Sequence, residues 1–170
     1  DRELRDLALA EFERITLERE KKPAAFWDII GDLEALLLWQ NEGSVPKERI
    51  AGWQRRLRPS VEANVAAITD TKSWVEWAAN TLLQSAAILE LAAASYGRAD
   101  PSDPAIARWR SVARENLRKA LAIQLPGGAF SYIRHSGPDP VYFAFDAAHL
   151  GRYYQLTGDR SARAALVRMA

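Results

Sequence analysis

The chain has no cysteine, which excludes disulfides, thiol nucleophiles and cysteine-based zinc sites. Its two histidines, His135 and His149, are too few for a histidine-rich metal centre. An excess of one charge is also missing. The formal net charge is +1, so no global field draws the protein to nucleic acid or to a membrane surface. The densest basic runs, "RENLRK" and "QRRLR", read as solvated helix faces. No apolar run is long enough to span a membrane, and the charged, amphipathic opening "DRELRDLALAEFERI" has none of the pattern of a secretory signal. No segment alternates with a period of two, and there is no P-loop, GxGxxG or Gly-x-Ser-x-Gly.

What is present is helical periodicity. With 170 residues, 48% of them hydrophobic, the chain can bury the core of one domain covering 1–170. Because it begins and ends inside helical patterns, it is expected to be a piece of a longer protein. One-faced amphipathic segments (2–20, 46–58, 104–123) alternate with segments apolar on most sides (24–40, 73–96, 140–156). Pro59 is expected to end the third segment and Gly97 the fourth. Ser73 with Glu76 reads as a capping box, and Asp103-Pro104 and Asp139-Pro140 read as caps followed by first helical residues. Thr157-Gly158-Asp159 reads as a turn before a last helix. This order predicts an all-α fold of antiparallel hairpins, each with an outer, half-wet helix and an inner, dry one. Stacked side by side, they form an arc or part of an α/α toroid, or else a solenoid of helical hairpins.

The stretch "GGAFSYIRHSGPDPVYFAF", 127–145, breaks the periodicity and brings Tyr132, Arg134, His135 and Tyr142 within eleven positions. It reads as the lip of a cleft. Asn80, an amide inside an apolar helix, must bond a neighbour or face a polar cavity, because a bare buried amide costs about 1–3 kcal/mol. Six tryptophans are many for this length. Trp53 and Trp109 fall on amphipathic stripes and belong to the core. Trp27, Trp74 and Trp77 lie on inner segments, where an indole can stack on a sugar ring. No pair of carboxylates announces itself as a hydrolytic dyad, although Asp28, Asp32 and Asp146 sit in apolar surroundings.

The order "FWDIIGDLEALLL", "WAANTLLQSAAILELA", "LPGGAFSYIRHSGPDPVYFAF" resembles the helical domain of polysaccharide lyases of the hyaluronate, chondroitin and xanthan type. More loosely, it resembles the heparinase and alginate lyase groups. The resemblance runs from about 24 to 157 and is one of layout and sparse motifs. It departs from the pattern at Thr81, where an Arg is usual, and at Ala129, which stands for the Ser of Gly-Ser-Phe. It implies an incomplete α/α toroid acting by β-elimination on an acidic polysaccharide, in a secreted or periplasmic protein, with no metal or other cofactor. Asn80, Arg134, His135 and Tyr142 would be catalytic, and Trp27, Trp74, Trp77 and Tyr132 would hold the sugar. Two alternatives remain open: a non-catalytic helical-repeat module that binds protein partners, and an α/α-barrel glycoside hydrolase using Asp146 or Asp28.

Overall fold

The computed structural model describes residues 2–24, 26–69, 78–131, 137–138 and 140–170. Among these residues there are seven helices: α1 (Arg2–Lys21), α2 (Trp27–Glu42), α3 (Lys47–Thr69), α4 (Ala79–Ala99), α5 (Pro104–Leu121), α6 (Pro140–Thr157) and α7 (Arg160–Met169). The only β features among the described residues are two isolated bridges, Gln124 with Phe130 and Ser131 with Pro138. The fold is all-α and built of helical hairpins.

Side-chain register gives the direction of each helix. Between α1 and α3, Trp53 donates to Glu13 and Arg56 to Thr16, both 40 positions apart, so the two helices run parallel. Arg58 with Asp103 and Trp109 with Glu62 make α3 and α5 parallel in the same way. Antiparallel neighbours pair early residues with late ones. Arg5 meets Glu42 and Arg19 meets Asp32 between α1 and α2. Tyr96 donates to the Gln54 carbonyl and Ser85 to Asn64 between α4 and α3. The result is an outer set, α1, α3 and α5, opposed in direction to an inner set, α2, α4 and α6.

The packing explains the burial pattern. α4 touches α2, α3, α5 and α6, and every residue from Ala79 to Ala93 is buried. Across α3, α4 and α5, Asn116 donates to Ser85 (3.1 Å) and Ser85 to the Asn64 carbonyl oxygen (2.7 Å), so this polar row inside the double layer is tied together. Trp53 and Trp109 are fully buried, as their stripes required. Each indole N–H reaches a carboxylate at the edge of the layer, Glu13 at 2.7 Å and Glu62 at 3.2 Å.

Three sequence expectations are corrected. Pro59 lies inside α3, which continues to Thr69. Trp53, Leu57, Val61 and Val65 form one buried stripe across it, and burial of that stripe outweighs the roughly 3 kcal/mol that an interior proline costs. Gly97 does not end α4. The helix stops two residues later, where Asp100 turns extended ahead of Pro101, a residue that disfavours helix in its predecessor. Of the inner helices only α4 is dry. α2 exposes Trp27 and Leu38, and α6 exposes Val141 and Phe145, because each packs extensively against only one inner helix, α4.

The Asp103 cap is as the sequence predicts, with an added role. Its carboxylate accepts from the Ala105 amide (2.9 Å) and takes a two-pronged contact from Arg58 (2.7 and 3.1 Å). Arg58 and then the Ala105 amide hold its pKa below the usual carboxylate range. Asp103→Ala is expected to cost about 1–2 kcal/mol in urea unfolding, with Asp103→Asn near half that because it keeps the cap. Equal losses in both variants would assign the whole effect to Arg58.

Candidate functional site

The inner helices run parallel to one another. Arg152 donates to Glu34 across a step of 118 positions, and the Trp27 ring meets Phe145 edge-on at 5.5 Å with the same step, so α2 and α6 run parallel and in register. Gln40 donates to the Ser95 carbonyl, which fixes α2 against α4 with a step of 55. These two registers bring Asn80 of α4 and Tyr142 of α6 to the same level, just ahead of Trp27, the first residue of α2. Asn80 is 4% exposed and Tyr142 half-buried, while Trp27 is 49% exposed. Trp27 therefore offers an aromatic edge to solvent, while Asn80 is buried.

Asn80 belongs to a polar row that the sequence reading only partly saw. Ser85 and Tyr96 face α3 and α5. At about 100° per residue, Asn80 and Gln84 lie roughly 100–160° round from them, on the side of α4 turned from the outer layer. Gln84 is fully buried, and neither atom of its amide has a hydrogen-bond partner. On α6, Asp146 and His149 are buried on the face that also carries Leu150 and Tyr153. The His149 ring is tilted against Trp27 at 6.1 Å, its Nε2 has no partner, and burial pushes its pKa down to about 4. Spacing could have revealed these groups. Asn80 and Gln84 are i, i+4, as are Tyr142 and Asp146, and both pairs interrupt otherwise apolar helices.

The remaining candidates separate clearly. Trp74, Trp77, Tyr132, Arg134 and His135 lie outside the described residues, as do the Ser73–Glu76 capping box and Asp139. Asp28 and Asp32 both face Arg19, at 3.9 and 2.8 Å, and so join α2 to α1. Burial of Asp32 raises its pKa despite that guanidinium. Among the described residues no three His, Cys, Asp or Glu side chains gather as metal ligands, and no helix is long and apolar enough to cross a membrane.

The loop that follows α5 is anchored under α7. Gln124 donates to the carbonyls of Gly128 (2.8 Å) and Ala165 (3.1 Å). Gly128 has φ +87, and a Cβ there would lie 1.8 Å from the Arg168 carbonyl oxygen, so both backbone and space demand glycine.

Between α2 and α6 runs a groove of about 440 Å³, lined by Gly31 and Glu34 on one wall and by His149, Gly151, Arg152 and Gln155 on the other. A second groove, about 570 Å³ and strongly apolar, lies between α1 and α2 and includes Phe12, Ile15, Leu38 and Trp39. No protein-family model, curated protein or solved structure matches the chain.

Proposed function

We propose that this chain is a carbohydrate-active helical domain that cleaves uronic-acid polymers by β-elimination. The observation that carries the reading is the common level of Asn80, Tyr142 and Trp27 at one end of three parallel inner helices. An amide donor, a phenol and an exposed indole are the groups such a reaction needs. The amide, with the Arg134 guanidinium, neutralises the uronate carboxylate so that charge can spread into it as the adjacent C–H proton leaves. Tyr142 takes that proton, with His135 polarising the phenol or acting as base itself. The electron pair forms the new C=C bond as the bond to the 4-linked sugar oxygen breaks, and that oxygen leaves with the proton that the base took, handed on by the Tyr142 phenol or the His135 imidazole. Trp27 stacks on the sugar, with Trp74, Trp77 and Tyr132 as its further supports.

The test is ultraviolet absorbance from new unsaturated ends, with hyaluronan, chondroitin, xanthan, heparin and alginate as substrates. At least one polymer is expected to give a signal that falls tenfold or more in Tyr142→Phe and in Asn80→Ala. Silence with every polymer, or a wild-type rate in Tyr142→Phe, rejects the reading. The apolar groove between α1 and α2 favours a second reading, a helical-repeat module that docks protein partners. That reading predicts no absorbance change with any polymer, and partner capture that is lost on Leu38→Asp.

A further inference from the structure

We propose that the groove between α2 and α6 is a subsite for the carboxylate-bearing ring of a uronate, with Arg152 as the carboxylate's partner and Trp27 as the platform at its end. The proposal rests on the uronic-acid reading above and adds a specific binding locus, separate from Asn80 and Tyr142. Three observations carry it.

The first is a pair of glycines without a structural reason. Gly31 and Gly151 lie inside helices and on opposite walls of the groove. Neither has a positive φ, and a Cβ built on either would meet nothing within 4 Å. Glycine is the poorest helix former after proline, so alanine at both positions would strengthen both helices. Neither backbone geometry nor packing asks for glycine here. What the two residues preserve is space, and the groove's 440 Å³ falls within the range of small-molecule pockets, about 300–1,000 Å³.

The second is the ion pair across that space. Arg152 donates through Nε to Glu34 at 2.8 Å and through Nη1 to Gln155 at 3.1 Å, and Arg152 and Glu34 are each about two-fifths exposed. A partly exposed pair of this kind contributes little to stability. It does hold a guanidinium extended over the groove, with Glu34 in the position that a ligand carboxylate would take, and a guanidinium's planar fork suits a carboxylate. Among the described lining residues Arg152 carries the positive charge and Glu34 the negative one, so an acidic ring binds by taking Glu34's place on the guanidinium.

The third is the aromatic end. Trp27 and Phe145, both about half exposed, meet edge-on about two helical turns before the ion pair, and the Trp27 ring also rests against His149. An aromatic surface at one end and a cation about two turns further on match a disaccharide that lays an apolar ring face on Trp27 and brings the carboxylate of its uronate to Arg152. His149 lines the stretch between, and Gln155, beyond the ion pair, braces Arg152.

The test is titration calorimetry of the whole chain with digalacturonate and dimannuronate, beside neutral galactobiose and mannobiose. The acidic disaccharides are expected to bind at least tenfold more tightly than the neutral ones. Arg152→Gln should weaken that binding at least tenfold, while Glu34→Gln, which releases Arg152 from its internal carboxylate, should tighten it severalfold. The pair Gly31→Ala with Gly151→Ala should raise the melting temperature by about 4 °C or more while weakening binding. No binding by either acidic disaccharide, equal losses in Arg152→Gln and Glu34→Gln, or unchanged binding in the stabilised double variant would each overturn the proposal. The polymer assay separates the two readings. Cleavage that persists at wild-type rates in Arg152→Gln and the double glycine variant sinks the subsite alone, and disaccharide binding without cleavage sinks the lyase reading alone.

Discussion

Trp53→Ala is expected to destabilise the protein by about 3–5 kcal/mol, a large share of the 5–15 kcal/mol typical of a whole domain. Trp53 has no exposed surface and meets Phe12 edge-on at 4.8 Å, so truncation opens a cavity where α1 lies on α3. It also removes the indole N–H from Glu13, whose carboxylate collects Trp53, Arg49 and Arg56 in one place. Burial presses the Glu13 pKa upward, but those three donors together bring it below the usual carboxylate range. Without the indole, two guanidinium groups still hold the carboxylate, so the ion pairs survive and the loss is mainly one of packing. Trp53→Phe separates the parts. It retains most of the ring volume and is expected to cost about 1–2 kcal/mol, for the lost N–H and the smaller gap. Because α1 is attached chiefly through α3, its amides are expected to lose exchange protection first, ahead of those of α4. Urea midpoints and hydrogen exchange measure both effects. A Trp53→Ala loss below about 1 kcal/mol, or equal deprotection of α1 and α4, would contradict this account.

Much of the architecture was legible because it rests on local chemistry. Asp103-Pro104, Pro140 and the Thr157–Asp159 turn mark helix boundaries through caps and fixed φ, and the structure has helices starting at Pro104, Pro140 and Arg160. The alternation of half-wet and dry segments anticipated the hairpin order because burial on one face or on most faces is written in composition. What failed was what tertiary contact decides. Nothing local says that the stripe from Trp53 to Val65 will carry a helix through Pro59. Composition also could not say which apolar helix has neighbours all round, and so α4 is buried while α2 and α6, equally apolar to read, remain half-open. For the site, Asn80 stood out as an amide in an apolar run. Gln84, four residues on in the same run, carries the same signal. The groove was invisible in principle, since its walls are 118 positions apart and its glycines read locally as nothing more than weak helix formers.

Stability is expected to fall by about 3 kcal/mol as pH drops from about 6.5 to 4, through His149 alone. The ring is 8% exposed, and burial lowers its pKa from 6.5 to about 4. Between those values the unfolded chain holds the proton and the folded one does not, so acid favours unfolding. The contribution is complete above the unfolded pKa and exhausted below the folded one. Around the ring stand the uncharged indole of Trp27 and the groove's Glu34 from α2, with Asp146 and Arg152 one turn away on either side along α6. The other shifted carboxylates act elsewhere or in the opposite sense. Asp103 and Asp159 are held low, so their contributions fade only below the ordinary carboxylate range. Asp32 and Glu90 are held high by burial, so folded protein takes up their protons first and gains stability as pH falls. Above the ordinary carboxylate range the imidazole therefore supplies the loss, and Asp32 and Glu90 offset part of it. Urea midpoints measured across this window should slope in the wild type and flatten in His149→Leu, which fills similar space with no proton to bind. Parallel slopes in the two proteins would mean that the folded ring ionises as readily as a free one. A neutral His149 at pH 7 also leaves Arg152, paired with Glu34, as the single positive charge among the described residues lining the α2–α6 groove, so an acidic ring entering there competes with Glu34 for one guanidinium.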